Sequence, residues 1–331
     1  MGEFNGMPYK SLGGSGLKVS SVGLGTWKFG YPETGDASRV GREEAFRIFD
    51  KALELGVTFW DTANRYNFGT GNSERVLGEW FAAHPENRRD IVIATKLAGE
   101  MDGKTPNHAG LSRTNIIESV YASMDRMNLD YIDLLYFHWP DPTTPLEESL
   151  EAVEDLVRED IVRYFAVSNY TVEGIRDILR ISGQMSRRCR PVAIQNRYDI
   201  IAKEAADKPG VLSLCAEEGL SYIAWSPLAC GLLTGRYNDP AAVGAGNRLV
   251  DENTLAAYGP EVFEKLRALA EIAAAENVSM AQLTLSYMMT LPGMGPVIPA
   301  ASTVAQLEQN ALAGKYVPSA EVCTRIRTIV G

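Results

Sequence analysis

Eight short apolar segments recur along this chain of 331 residues, and they constrain its fold more than any other feature. Each segment is nearly continuous in apolar side chains and rich in β-branched and aromatic residues. Such runs are typical of parallel strands that are buried on both faces. The segments predicted as strands are residues 22–25, 57–60, 91–94, 132–137, 161–167, 192–194, 222–225 and 296–298.

Stretches with helical periodicity separate these runs. Residues 43–55 place apolar side chains on one helical face, and Ser112 is a candidate N-cap for a helix over residues 113–127. Ser279 and Gln282 have the spacing of a capping box that opens another helix. The other predicted helices are residues 146–157, 171–181, 208–218, 261–275 and 303–313.

The repeated strand–helix alternation predicts an α/β fold, a single (β/α)8 TIM barrel. The alternative is a doubly wound sheet in two halves, because 331 residues could also form two domains. Residues 9–21 predict an N-terminal β-hairpin that closes the bottom of the barrel. The irregular stretch 229–259 predicts a long rim loop. Residues 1–6 are typical of a cloning scar, which leaves residues 7–331 as one domain.

Composition argues against several classes of function. The formal net charge is −10, whereas a protein that binds nucleic acid needs a basic surface. The four cysteines are widely separated, so a reducing, cytoplasmic location is expected. No apolar run approaches the roughly 18–20 residues that span a bilayer, and no signal-peptide pattern is present. We therefore expect neither a nucleic acid nor a membrane as partner.

Polar residues follow six successive apolar runs. In a barrel the carboxyl ends of all strands meet at one rim, where the chemistry of this fold is located. Taken singly, Asp61 could be a turn residue, Lys96 a solvated charge and His138 a buried structural imidazole. Together at one rim they indicate a site for proton transfer. The residues at these strand ends are Asp61, Thr95 and Lys96, His138, Ser168 and Asn169, Gln195 and Asn196, and Trp225 and Ser226.

Competing motifs are incomplete. The stretch Gly23-Leu24-Gly25 lacks the third glycine of a dinucleotide-binding fingerprint. The Gly103-Lys104-Thr105 sequence has Ala98 where a phosphate-binding loop requires its first glycine. The three histidines are scattered, so no metal site is predicted.

Several ordered motifs resemble those of the aldo-keto reductases. They include Trp60-Asp61-Thr62-Ala63-Asn64-Arg65-Tyr66, Ile93-Ala94-Thr95-Lys96, Phe137-His138-Trp139-Pro140 and Ala166-Val167-Ser168-Asn169. The resemblance runs from about residue 8 to residue 314. The stretch from Trp225 to Gly231 is similar to the branch that contains potassium-channel β-subunits and bacterial relatives.

The resemblance implies a catalytic tetrad of Asp61, Tyr66, Lys96 and His138. In that family a hydride passes from C4 of a reduced nicotinamide to a carbonyl carbon, and the tyrosine supplies or removes the proton. By the same resemblance Lys96 lowers the pKa of Tyr66, Asp61 keeps Lys96 charged, and His138 hydrogen-bonds to the carbonyl oxygen or shares the proton. The substrate is then a small aldehyde or ketone, or the corresponding alcohol. Its pocket is lined by Trp27, Tyr66, His138 and Trp139.

The same resemblance implies a nicotinamide dinucleotide as cofactor. NADP(H) is favoured over NAD(H) because Arg248 could contact a 2′-phosphate, although Ala300, Ala301 and Gln306 are uncharged where many relatives carry a cation. The implied cofactor residues are Thr26, Trp27, Asp61, Ser168, Asn169, Gln195, Trp225, Ser226, Pro227, Leu228, Gly231, Leu233, Arg236, Arg248, Ser302, Gln306, Gln309 and Asn310.

Two functions remain open at this point. The first is an NAD(P)H-dependent carbonyl reductase, which the retention of His138 favours because channel β-subunits commonly lack that histidine. The second is an interaction subunit that senses nucleotide by binding NADP(H) with little turnover. The sequence indicates neither a particular substrate, nor the direction of the reaction in the cell, nor an oligomeric state.

Overall fold

The eight predicted strands form one parallel barrel. The computed structural model describes residues 2–101 and 103–331. Hydrogen-bonded neighbours follow the order β4-β5-β6-β7-β8-β9-β11-β12, and parallel bridges from Val22 to Val297 and from Gly25 to Ala300 close the ring. The strands are β1 (Glu3–Phe4), β2 (Met7–Ser11), β3 (Lys18–Ser20), β4 (Leu24–Gly25), β5 (Phe59–Asp61), β6 (Val92–Leu97), β7 (Ile132–Phe137), β8 (Val162–Ser168), β9 (Ala193–Asp199), β10 (Lys203–Glu204), β11 (Ser221–Trp225) and β12 (Met294–Val297).

Helices follow the barrel strands, as the periodicity predicts. The Ser112 hydroxyl accepts from the Asn115 amide at 3.3 Å, and the Ser279 hydroxyl accepts from the Gln282 amide at 3.1 Å, so both predicted N-caps are confirmed. The helices are α1 (Arg42–Glu54), α2 (Tyr66–Gly69), α3 (Asn72–Ala83), α4 (Arg113–Met127), α5 (Leu146–Arg158), α6 (Val172–Met185), α7 (Val211–Glu218), α8 (Arg248–Asp251), α9 (Pro260–Ala275), α10 (Met280–Met288), α11 (Val304–Leu312) and α12 (Ala320–Val330).

Two long helices within the described ranges, α3 and α12, were not predicted. Helix α3 contains Gly78, which weakens the helical signal. That glycine is required by packing, because a Cβ there would lie 2.1 Å from the Arg126 carbonyl oxygen of α4. Helix α12 lies beyond the last strand–helix unit and packs on α9.

The predicted N-terminal hairpin is confirmed and closes the bottom of the barrel. Strands β2 and β3 pair antiparallel, with Tyr9 opposite Ser20. Leu12 and Val19 are buried in the same apolar cluster as the inward-facing strand residues Phe59, Leu134 and Ile223. The two strand residues of β1 pair with β2, so part of the segment interpreted as a cloning scar is ordered against the barrel. That residues 1–6 derive from cloning remains a prediction.

The stretch 229–259 is irregular, as predicted, and consists of short helical turns on the upper rim. Across the described residues, no helix combines the length and apolarity that crossing a membrane requires. The short 3-10 segments of the chain are Pro32–Thr34, Pro85–Asp90, Pro106–His108, Arg187–Cys189, Ala229–Thr234, Pro240–Ala242, Leu255–Ala257 and Ala313–Lys315.

Candidate active site

A buried ion pair between neighbouring strands forms the base of the site. Asp61 is the last residue of β5 and Lys96 lies near the end of β6, and each is only 1% exposed. Their charged atoms, Oδ1 and Nζ, are 2.5 Å apart. The ammonium also donates to the Thr62 carbonyl oxygen at 2.7 Å and to the Tyr66 hydroxyl at 2.8 Å. All three ammonium protons are therefore directed to oxygen atoms of the rim.

The second carboxylate oxygen of Asp61 is held from the opposite side of the barrel. Gln195 on β9 donates its amide nitrogen to Asp61 Oδ2 at 2.7 Å. The two residues are 134 positions apart in the sequence. This bond fixes the carboxylate plane, so that Oδ1 faces Lys96 and Tyr66.

Tyr66 lies on the turn after β5, and its hydroxyl meets both members of the ion pair. Besides accepting from Lys96, it donates to Asp61 Oδ1 across 3.3 Å, a long hydrogen bond. Burial, followed by the negative charge of Asp61, raises the pKa of Tyr66 well above its ordinary value. Burial and the Asp61 charge therefore set the net direction of the shift, and the contribution of Lys96, which donates to the Tyr66 oxygen, stays a prediction. Lys96 is itself paired with Asp61, and burial lowers the pKa of that lysine.

His138 follows β7 and faces Tyr66. Their ring centroids are 6.0 Å apart in an edge-on arrangement, and the centroid of the Trp139 ring lies 4.6 Å from that of the imidazole. Burial, then the positive charges of Lys96 and Arg65, lowers the pKa of His138 well below 6.5. Its Nδ1 is buried without a hydrogen-bond partner among the described residues, which leaves Nε2 as the nitrogen able to meet a bound molecule.

A chain of hydroxyl groups anchors the strand end that carries Asp61. The Thr26 hydroxyl donates to the Asp61 carbonyl oxygen at 2.9 Å and contacts the Ser73 hydroxyl at 2.9 Å. Ser73 in turn contacts the Thr62 hydroxyl at 2.9 Å. Thr26 was predicted as a cofactor residue, but its hydroxyl is committed to this buried chain. Ser73 was not predicted, because its partners are distant in sequence.

The Asn169 side chain links the ends of three further strands, β7, β8 and β11. The Asn169 amide donates to the His138 carbonyl oxygen at 2.9 Å and to the Ser168 hydroxyl at 3.1 Å. Its oxygen accepts from the Trp225 indole at 3.2 Å. The structure thus brings Ser168, Asn169 and Trp225 together beside His138.

A cleft of about 600 Å³ extends over the rim beside β11 and β12. Ten of the predicted cofactor residues line it, and four cations face it: Lys28, Arg39, Arg236 and Arg248. Within the described part of the chain, no carboxylate belongs to its lining. The ten predicted residues are Ser226, Pro227, Leu228, Gly231, Arg236, Arg248, Ser302, Gln306, Gln309 and Asn310.

Lys28 and Arg39 were missed by the sequence reading. Burial lowers the pKa of Lys28. The nearby positive charges of Arg248 and Arg39 lower it further. Arg248 and Arg39 share Glu252, at 2.9 and 3.4 Å. Trp27 is 41% exposed and contacts both Lys28 and Arg248, whose Nζ and Cζ atoms are 4.2 and 4.9 Å from its ring centroid.

Not every predicted cofactor residue reaches this cleft. The Leu233 side chain is fully buried in the core and does not belong to the lining. Ser226, Ala229 and Cys230 adopt positive φ angles of 55°, 48° and 57° in the turn after β11. Three such residues in one turn are strained, and strain of this kind is concentrated at functional sites. In the described chain, no group of three or more His, Cys, Asp or Glu side chains could hold a metal.

Comparison with known proteins agrees with this geometry. The model of the aldo/keto reductase family matches residues 21–330. A probable voltage-gated potassium channel subunit beta of Arabidopsis thaliana is 32% identical over 317 residues, 94% of this chain and 92% of the relative. A protein of the same description from Oryza sativa subsp. japonica is 31% identical over 331 residues, 98% of this chain and 97% of the relative. The chain therefore belongs to the aldo/keto reductase family.

Proposed function

We propose that this protein is an NAD(P)H-dependent oxidoreductase that reduces an aldehyde or ketone to an alcohol, or catalyses the reverse. The observation that carries this proposal is the arrangement of Tyr66 on the Lys96–Asp61 ion pair, with His138 facing it. Family membership supports an oxidoreductase with a nicotinamide cofactor and a small-molecule substrate. The cytoplasm is the proposed compartment, as the cysteine content suggests.

The cleft fits a polyanionic dinucleotide. The whole chain carries a net charge of −10, yet the cleft is lined by four cations. Arg236 and Arg248 would hold phosphate groups, for which guanidinium is well suited. When bound there, reduced nicotinamide supplies a hydride from its C4 atom.

Tyr66 is proposed as the proton donor for reduction. Because its pKa is raised, Tyr66 carries its proton at neutral pH. As that proton leaves for the substrate oxygen, Lys96 stabilises the phenolate through the bond that it already makes to the Tyr66 oxygen. In the oxidative direction Tyr66 takes up the proton instead.

His138 is proposed to orient the substrate rather than to transfer the proton. Its lowered pKa keeps the imidazole neutral, so Nε2 can donate a hydrogen bond to a carbonyl oxygen without adding a charge. Trp139, which packs against the imidazole, lies at the same pocket.

NADP(H) is the proposed cofactor, with Arg248 as its distinguishing contact. Ala300, Ala301 and Gln306 line the cleft without charge, whereas Arg248 faces it from the rim loop.

Titration of the wild-type protein by fluorescence should give tighter binding of NADPH than of NADH. Arg248→Ala should weaken NADPH binding by about 10- to 150-fold, since charged hydrogen bonds contribute roughly 1.5–3 kcal/mol. Arg180→Ala, at an exposed pair with Asp177, is the matched control. Equal affinity for both cofactors would contradict the proposed preference for NADP(H) and the role of Arg248 in it.

A second candidate is a nucleotide-sensing interaction subunit, favoured by two relatives described as probable potassium channel β-subunits. Steady-state assays on a broad panel of aldehydes and ketones with both cofactors discriminate the two. The proposed reductase turns over members of the panel. Tight cofactor binding without turnover on the whole panel would instead support the interaction subunit.

A further inference from the structure

The turn after the catalytic tyrosine contains an unusual run of left-handed backbone conformations. Asn67 has φ 56° and ψ 56°, and Phe68 has φ 65° and ψ 28°. Gly69 follows with φ 75°. Residues other than glycine rarely adopt left-handed backbone angles. Two successive non-glycine residues with such angles require support from the surrounding structure.

That support comes from both sides of the turn. The Asn67 side chain is buried and donates to the Phe29 carbonyl oxygen, in the loop after β4, at 2.7 Å. Within the turn, the Gly69 amide donates to the Arg65 carbonyl oxygen at 3.0 Å, and on the other side the Arg65 guanidinium donates to the Glu100 carbonyl oxygen. A Cβ on Gly69 would lie 3.4 Å from the Glu100 carbonyl oxygen, in the loop after β6. The turn is therefore fixed between two rim loops.

The consequence is that an aromatic ring is left exposed on the turn that carries Tyr66. Phe68 is 83% exposed, more than any other large apolar side chain in residues 2–101 and 103–331. It lies two residues from Tyr66. In the loop after β6, a Cβ on Gly99 would contact both Arg65 and Trp139, so the same turn adjoins the wall beside His138. An exposed phenyl group on a turn that carries Tyr66 and adjoins Trp139 is available to contact a bound molecule.

We propose that Phe68 is a specificity-determining residue that contacts an apolar substituent of the carbonyl substrate. The preferred substrates are then aldehydes or ketones with an alkyl or aryl group beyond the reacting carbon, rather than small polar carbonyl compounds. The inference rests on the proposed reductase function. It concerns the substituent, whereas the tetrad acts on the carbonyl group.

The test compares an aldehyde series, propanal, hexanal and 3-phenylpropanal, in the wild-type protein and in Phe68→Ala. The wild type should favour the two larger aldehydes. Phe68→Ala should lower kcat/KM for these by about tenfold and leave propanal within about twofold, as expected for loss of one apolar contact. Phe68→Leu, which keeps an apolar side chain, should restore most of the preference. Val317→Ala is the matched control, because Val317 is 82% exposed beside Lys315 at the opposite end of the barrel.

A binding measurement separates this proposal from the proposed function. Calorimetry in the presence of NADP+ should show that Phe68→Ala binds hexan-1-ol about tenfold more weakly, with propan-1-ol unchanged. An unchanged ratio between large and small ligands in the folded variant, in both assays, would overturn the role of Phe68. If the wild type reduces no aldehyde, the reductase proposal fails, while the alcohol titration still decides the role of Phe68.

Discussion

Two ion pairs in this barrel, each with a buried carboxylate, have similar chemistry and different surroundings. Lys96 and Asp61 meet at the carboxyl ends of β6 and β5 with 2.5 Å between charged atoms. Arg88 and Asp133 meet near the start of β7, at the opposite end of the barrel, with 2.8 Å between theirs. Both carboxylates also accept a second hydrogen bond, Asp61 from Gln195 and Asp133 from the Ile93 amide.

The two pairs differ in what the cation contacts next. Arg88 donates to the carbonyl oxygens of Ile91 and Tyr131, both at 2.9 Å, and lies 3.8 Å from the Tyr131 ring centroid. Arg163 lies against the same ring at 3.5 Å. These contacts join neighbouring strands and loops. Lys96 instead donates to the hydroxyl of Tyr66, a group that can exchange a proton with a bound molecule. We therefore propose that the pair at the carboxyl ends of the strands serves chemistry and that the other pair serves stability.

Replacing Lys96, the cation of the pair at the carboxyl ends of the strands (the upper pair), should have the largest effect. Lys96→Met removes the stabilisation of the Tyr66 phenolate, so kcat for carbonyl reduction should fall by about 10²–10⁴-fold in the folded protein. Steady-state assays with circular dichroism as the check on folding measure this. A kcat within tenfold of the wild type would contradict a catalytic role for this pair, because the Lys96–Asp61 pair would then be structural too.

Replacing Arg88, the cation of the pair at the opposite end of the barrel, should lower stability and leave kcat unchanged. Arg88→Met leaves the Asp133 carboxylate buried without its main partner, so the free energy of unfolding should fall by about 3–5 kcal/mol. The kcat of the folded variant should stay unchanged. Urea denaturation and steady-state assays at low temperature test both statements. A large loss of kcat without a loss of stability would contradict the structural role.

The hydroxyl chain beneath the upper pair predicts a smaller effect. Ser73→Ala removes the link between the Thr26 and Thr62 hydroxyls, and thereby loosens the strand end that carries Asp61. We expect kcat to fall by about tenfold while the affinity for cofactor changes little. Ser182→Ala is the control, because that buried hydroxyl bonds only within α6, to the Leu179 carbonyl oxygen. Equal effects of the two substitutions would argue against a positioning role for Ser73.

The smallest expected effect concerns pH. Tyr66 has its pKa raised above 10.0, so it remains protonated and competent for reduction up to that pH. His138 has its pKa lowered below 6.5, so it stays neutral as the pH falls through that value. The kcat for reduction should therefore be flat through neutral pH and decline only above about pH 10, whereas oxidation should accelerate as pH rises. A marked inflection of the reduction profile near pH 6.5 would count against the neutral imidazole.

The sequence predicted the barrel and most of its rim for one physical reason. Alternating buried strands and helices specify a closed parallel sheet, and that sheet places the residues after each strand at one end. Asp61, Lys96 and His138 follow from this rule. Tyr66 does not, because it lies on a turn beyond the strand, and only the family resemblance identified it.

Other features depend on contacts that no local pattern encodes. Gln195 reaches Asp61 across the barrel, and Lys28 and Arg39 join Arg248 at the cleft only in three dimensions. The net direction of the Tyr66 pKa shift could not be predicted for the same reason. Burial and the Asp61 charge outweigh Lys96, and neither can be weighed from the sequence alone.

The central claim is that Tyr66, supported by the upper ion pair, supplies the proton for reduction. Stopped-flow measurement of single-turnover NADPH oxidation by Tyr66→Phe, with an aldehyde that the wild type reduces, tests it most directly. The variant should bind NADPH as the wild type does and transfer hydride about 10²–10⁴-fold more slowly. A single-turnover rate within tenfold of the wild type, in a variant that folds and binds NADPH normally, would contradict the account.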